Sequence, residues 1–151
     1  MEKIVTLHRY CKMGRILAID YGQKRVGLAV TDELQIIATP LATIAARETI
    51  QFLKDFTGKN VVDCFVVGEP RQMNNQASES AKYIEPFVRL LKKEFKDIPV
   101  ERADERFTSM IATRAIRDAG MKKKDRQDKS LVDTVSAVLI LQSFMEARNR
   151  K

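Results

Sequence analysis

The stretch Arg15–Asp32, RILAIDYGQKRVGLAVTD, decides the fold. Two apolar runs, Ile16–Ile19 and Val26–Val30, flank the short turn Gly22-Gln23-Lys24-Arg25. Runs of this length bounded by turn residues predict a β-hairpin of buried strands. Asp20 closes the first run. A carboxylate is costly to bury alone, so an Asp ending a core strand needs a partner or a metal. The competing reading is local: Asp caps turns well through its own side chain.

Outward from the hairpin, Ile36–Ile44 (IIATPLATI) predicts a third strand. Pro40 removes a ladder hydrogen bond from it, so it belongs at an edge or is bent. Arg47–Phe56 carries Ile50, Leu53 and Phe56 at helical spacing, and Gly58 is expected to end that helix. Val61–Val67 is almost wholly apolar, as a strand buried on both faces of a parallel sheet must be. Gly68-Glu69-Pro70 ends it, and Arg71–Gln76 is a polar loop. From Ala77 to Phe95 the residues Ala81, Ile84, Val88, Leu91 and Phe95 form one stripe, with a kink or break expected at Pro86. Pro99–Ala103 is a short strand closed by Asp104-Glu105-Arg106. Thr108 or Ser109 then caps a helix bearing Ile111, Ala115, Ile116 and Ala119, which Gly120 stops. The run Lys122–Lys129 holds five basic and two acidic residues. The final helix, Ser130–Ala147, is apolar nearly all round and is expected to be largely buried.

The predicted order is β-β-β-α-β-α-β-α-α. A leading meander followed by βαβαβ gives an α/β fold with a mixed sheet. Right-handed crossovers place the fourth and fifth strands parallel to the first and beyond it, for an order of 3-2-1-4-5 flanked by helices. Residues 1–13 show no periodicity and read as a peripheral N-terminal extension. Residues 14–151 read as a single domain.

Composition narrows the function. The chain has 151 residues, 44% of them hydrophobic, as expected of one globular domain. No apolar run approaches the ~20 residues that span a bilayer, and no signal-peptide pattern is visible, so no membrane association and a cytoplasmic location are the expectation. Cys64 lies in an apolar run and reads as a small core residue, not half of a disulfide. A lone histidine, His8, argues against zinc. The formal net charge of +7 favours a polyanionic partner.

Asp20, Glu69 and Asp104/Glu105 each close a proposed parallel strand, the end of an open α/β sheet where sites form. Asp133 is a fourth candidate, in the first turns of the last helix, followed by Ser136 and Ala137, small enough to let that helix approach the sheet. Converging carboxylates without His or Cys suit a hard cation such as Mg²⁺ or Mn²⁺. A pair of such ions can activate water and stabilise the leaving oxygen in phosphodiester cleavage. Each carboxylate also has a bland reading, Asp133 as a favourable charge near a helix N-terminus and Glu69 or Asp104 as solvated loop residues.

Four stretches, AIDYGQKRVGLAVTD (Ala18–Asp32), VVGEP (Val66–Pro70), DERFTS (Asp104–Ser109) and KSLVDTVSAVLILQ (Lys129–Gln142), together resemble the YqgF/RuvX family of the RNase H-like superfamily. The resemblance runs from Gly14 to about Glu146. It implies an RNase H-like fold and a metal-dependent nuclease, acting in 5′-end maturation of pre-16S rRNA in ribosome biogenesis or as a Holliday junction resolvase on branched DNA. The family's acidic positions fall on Asp20, on the DER motif and on Asp133. In an extended chain Asp104 and Glu105 point to opposite faces, and parity does not choose between them. The superfamily pattern favours Glu105, so Asp20, Glu105 and Asp133 are the implied catalytic and metal-ligating set. Glu69 departs from the family, which more often has an apolar residue there, and stands with Asp104 as a candidate auxiliary ligand.

Arg25, Arg71 and Arg106 would lie near the same sheet end. Lys122, Lys123, Lys124, Arg126 and Lys129 would rim the start of the last helix. Such residues bind phosphates without reading sequence, and they fit structured RNA, branched DNA or a ribosomal precursor. A solvated charged face is the competing reading of the Lys122–Lys129 run. Two other functions fit parts of the chain: a non-catalytic RNA-binding factor for ribosome assembly, and an ATP-binding domain of the sugar-kinase type. The second normally pairs two domains, and this chain supplies one.

Overall fold

A computed structural model describes residues 14–69, 81–104 and 129–149. Strands β1 (Arg15–Tyr21), β2 (Arg25–Thr31) and β3 (Ala38–Ala45) form an antiparallel meander. A 3₁₀ turn, Ala46–Glu48, leads into helix α1 (Thr49–Lys59). Strand β4 (Val62–Glu69), helix α2 (Ala81–Glu94), strand β5 (Val100–Asp104) and helix α3 (Lys129–Asn149) follow. The five strands make one sheet in the order β3-β2-β1-β4-β5, with β1, β4 and β5 parallel. This is the order expected from the sequence. Among the described residues no helix is long and apolar enough to cross a membrane.

Alternation along the strands divides the core in two. Leu17, Ile19, Val26, Leu28, Phe65 and Val67 face one side, where Leu53 of α1 and Ile84, Val88 and Leu91 of α2 cover them. Ile16, Ala18, Ala29, Cys64 and Val66 face the other, against Ala137, Ile140 and Leu141 of α3. Both sides of β1 are therefore sealed, which is why Ile16–Ile19 is a continuous apolar run. The α3 side is built from smaller residues. Ala18, Gly27, Ala29, Ser136 and Ala137 let α3 lie close to the sheet.

Two local expectations are corrected, and a third in part. Gly58 does not end α1, which continues to Lys59. Asn60 ends it instead, its backbone N–H and side-chain amide both donating to the Phe56 carbonyl, at 2.9 and 3.2 Å. Of the kink or break expected at Pro86, the break does not occur, since Pro86 lies inside α2 and the helix Ala81–Glu94 is continuous. The position falls in the second turn of the described helix, where the missing N–H costs one bond to the preceding turn. Finally, among the described side chains of α3 the fully buried ones are Ser136, Ala137, Ile140 and Leu141, while Val132, Val135, Val138 and Leu139 are half-buried. A helix on one face of a sheet has one stripe to bury, however apolar its circumference. Strand β3 is at the sheet edge as Pro40 requires, and the register slips beside Pro40 between Leu28 and Ala29.

Candidate active site

The hairpin turn is short and closed. The Gly22 N–H donates to the Arg25 carbonyl at 3.0 Å, and Ala46 N–H donates to the Lys24 carbonyl at 3.0 Å, tying the turn to the end of β3. Across the meander, Asp20 of β1 is the register partner of Gly27 of β2, and Gly27 is the partner of Thr43 of β3. These positions form one row across the sheet. Asp20 shares the parity of Ile16 and Ala18, so the row is on the α3 side.

Helix α3 crosses this row at Asp133 and Thr134. A Cβ added at Gly27 would overlap the Asp133 carbonyl and come within 3.2 Å of the Asp133 Cβ. The Thr134 hydroxyl hydrogen-bonds the Thr43 hydroxyl. Arg25, at the start of β2, donates from Nε to Asp133 Oδ2 at 3.1 Å. A missing side chain at Gly27, a hydroxyl pair and an ion pair therefore set α3 on the sheet. Together they bring Asp20 and Asp133 to the same end and face of the sheet, although 113 positions separate them in the chain.

Asp133 is partly exposed, at 26% of its side chain, so solvent reaches the carboxylate. A half-exposed ion pair of this kind is worth about 0–1 kcal/mol to stability. Its significance lies in position: it holds the Asp133 side chain at the end of the sheet where Asp20 closes β1. The donors are carboxylate oxygens, hard ligands of the kind that suit a divalent cation such as Mg²⁺ or Mn²⁺. Among the described residues no group of three or more potential metal ligands occurs. Glu105 lies outside the described residues, as do Arg71, Arg106, Lys122, Lys123, Lys124 and Arg126. Lys129 is the first residue of α3.

Glu69 and Asp104 are register partners at the ends of β4 and β5. Their positions have the parity of Phe65, Val67 and Val100, which belong to the α1/α2 side of the sheet. Arg102, of the same parity, pairs with Glu85 of α2 at 2.9 Å.

Gly27 and the Thr43–Thr134 pair are not among the residues that the sequence singles out. A signal for Gly27 exists: a glycine inside an otherwise β-branched and apolar strand marks a close approach of another backbone. Nothing local in the sequence pairs Thr43 with Thr134.

The family described as "RuvX: Holliday junction resolvase" matches residues 14–147. The chain belongs to the RuvX family. A relative from Bacteroides thetaiotaomicron named "Putative pre-16S rRNA nuclease" is 54% identical over 136 residues, covering 90% of this chain and 99% of its own. A relative of the same name from Flavobacterium psychrophilum is 53% identical over 133 residues, covering 88% of this chain and 97% of its own. The solved structure of T. thermophilus RuvC in complex with Holliday junction substrate superposes with a TM-score of 0.52 at 17% identity, covering 90% of this chain and 96% of that one. That likeness gives the RNase H-like fold. The RuvX family is one of nucleases, so hydrolysis of phosphodiester bonds is the chemistry for which the site must account.

Proposed function

We propose that this RuvX protein is a divalent-cation-dependent nuclease that trims the 5′ end of pre-16S rRNA during ribosome biogenesis. The observation that carries the proposal is that Asp20 pairs with Gly27 and Asp133 packs over it, so both lie on one face at the carboxyl end of β1. The relatives' name, at more than half identity over nearly their whole length, supplies the substrate.

In this reading Asp20, Glu105 and Asp133 hold the cation. The position of Asp104 has the parity of Arg102, which pairs with Glu85 of α2, and this favours Glu105 over Asp104 as the third carboxylate. When bound, such an ion supplies Lewis-acid chemistry, making water a better nucleophile and offsetting charge on the leaving oxygen. The protein does the positioning. Asp20 is fixed by a strand buried on both faces, and Asp133 by the packing and polar pairs that seat α3. Arg25, Arg71, Arg106 and the basic residues Lys122, Lys123, Lys124, Arg126 and Lys129 bind backbone phosphates and orient the chain to be cut.

The deciding experiment offers purified protein a precursor 16S rRNA and a four-way DNA junction, each with and without Mg²⁺ or Mn²⁺. Metal-dependent shortening of the RNA is the expected result. Cleavage of the junction alone would assign the protein as a resolvase on branched DNA. Tight RNA binding with no cleavage in any metal would make it a ribosome assembly factor instead.

A further inference from the structure

Arg25 sits at a junction of two demands. Its backbone is fixed, since it starts β2, pairs with Ala45 and accepts the Gly22 N–H through its carbonyl. Its side chain, 39% exposed, reaches α3 and donates from Nε to Asp133 Oδ2 at 3.1 Å. A guanidinium is a planar fork of five donors, matched to carboxylate and phosphate alike. The ion pair therefore engages a carboxylate that the proposed cation would share, with a group that is also suited to the substrate's phosphates.

We propose that Arg25 is a positioning residue that exchanges partners: it neutralises Asp133 while the site is without a cation, and turns to a phosphate of the bound nucleic acid when the carboxylates take one up. The inference rests on the reading of Asp20 and Asp133 as cation ligands. A dication and a guanidinium repel one another and compete for Asp133, so Arg25 weakens cation binding to the free protein. Once nucleic acid is bound, a phosphate offers the guanidinium another anion, and the competition is relieved. Cation and nucleic acid then strengthen each other's binding through one side chain, and by linkage the effect is equal in both directions. Such an arrangement keeps the hydrolytic centre incompletely charged until a substrate is present.

The test is calorimetric titration of Mn²⁺ into wild type, Arg25→Ala, Arg25→Lys and Asp20→Asn, each with and without an RNA made uncleavable by backbone modification. Wild type should bind Mn²⁺ about 5-fold or more tighter with RNA than without. Arg25→Ala should bind Mn²⁺ more tightly than wild type in the absence of RNA, lose most of the gain on adding RNA, and need more RNA for half-saturation. Arg25→Lys keeps the charge and should lie between the two. A residue that merely braced α3 would give the opposite sign, weaker Mn²⁺ binding on removal. Unchanged or weaker Mn²⁺ binding by Arg25→Ala without RNA, with binding still lost in Asp20→Asn, would overturn the exchange alone. No Mn²⁺ binding by wild type, or undiminished binding by Asp20→Asn, would overturn the cation site and the exchange together.

Discussion

Gly27 of β2 and Asp133 of α3 approach so closely that no side chain fits between them. The Cβ of an alanine at position 27 would overlap the Asp133 carbonyl, a backbone atom that cannot rotate away. Gly27→Ala must therefore lift the first turns of α3 from the sheet. Overpacking of this kind costs about 1–3 kcal/mol, read as a fall in the denaturation midpoint. It should also depress nuclease activity more than the stability loss explains, because Asp133 moves relative to Asp20. Wild-type activity in a folded Gly27→Ala protein would show that the separation of these two carboxylates does not matter.

The Thr43–Thr134 hydroxyl pair is the second clamp on α3. Replacing either threonine by valine keeps the shape and removes this hydrogen bond, at a cost of about 0.5–1.5 kcal/mol. The double substitution should be milder than the sum of the singles, since both singles lose the same hydrogen bond. Strict additivity in a double-mutant cycle would mean that the two hydroxyls do not interact.

These clamps explain what is and is not legible in the chain. The strand order follows from local signals: apolar runs of strand length, turn residues between them, and crossover handedness. Val62 and Cys64–Val67 are buried beside β1, as a run this apolar requires. Asp20 is legible as a strand-end carboxylate for the same reason. The end of α1 is not, because a glycine two residues before the real cap is tolerated at about 1 kcal/mol, and Asn60 supplies a better stop. The seat of α3 is not legible either. Which sheet face it takes, and which of its residues meet Gly27 and Thr43, depend on pairings between residues about a hundred positions apart.

Cys64 provides a probe of the α3 side. Burial, aided by the charge of Glu101, pushes its thiol up to about 11 from an ordinary 9.0. The unfolded chain ionises first as pH rises, so the buried thiol's contribution to stability is complete below pH 9 and is lost between 9 and about 11. That contribution is at most about 2–3 kcal/mol. Cys64→Ala should flatten the stability profile over this alkaline window. An unchanged alkaline slope would mean that the thiol ionises no later in the native state than in the unfolded one.

Lys122, Lys123 and Lys124 test the electrostatic part of the proposal. Replacing all three by alanine should weaken nucleic-acid binding and flatten its salt dependence, by roughly 0.7–0.9 in log–log slope for each phosphate no longer neutralised. Affinity and slope equal to wild type would make the run a solvated face.

Asp20→Asn tests the chemistry most directly. The change is nearly isosteric, and β1 is held by its neighbours on both sides, so the fold should survive. What disappears is one of two charges brought to the same face of the sheet. If those charges hold a cation, adding Mn²⁺ to wild type should raise its melting temperature by mass action, because the unfolded chain cannot assemble the site. Chelation should remove that gain. In Asp20→Asn the gain should be much smaller, and cleavage should fall by more than about 100-fold, beyond the 10–100-fold typical of losing a group that only supports a ligand. Without metal the Arg25–Asp133 pair is kept in the variant. Full metal-dependent cleavage by purified Asp20→Asn would end this mechanism. Loss of cleavage with an undiminished Mn²⁺ response would keep Asp20 in the reaction and move the cation elsewhere.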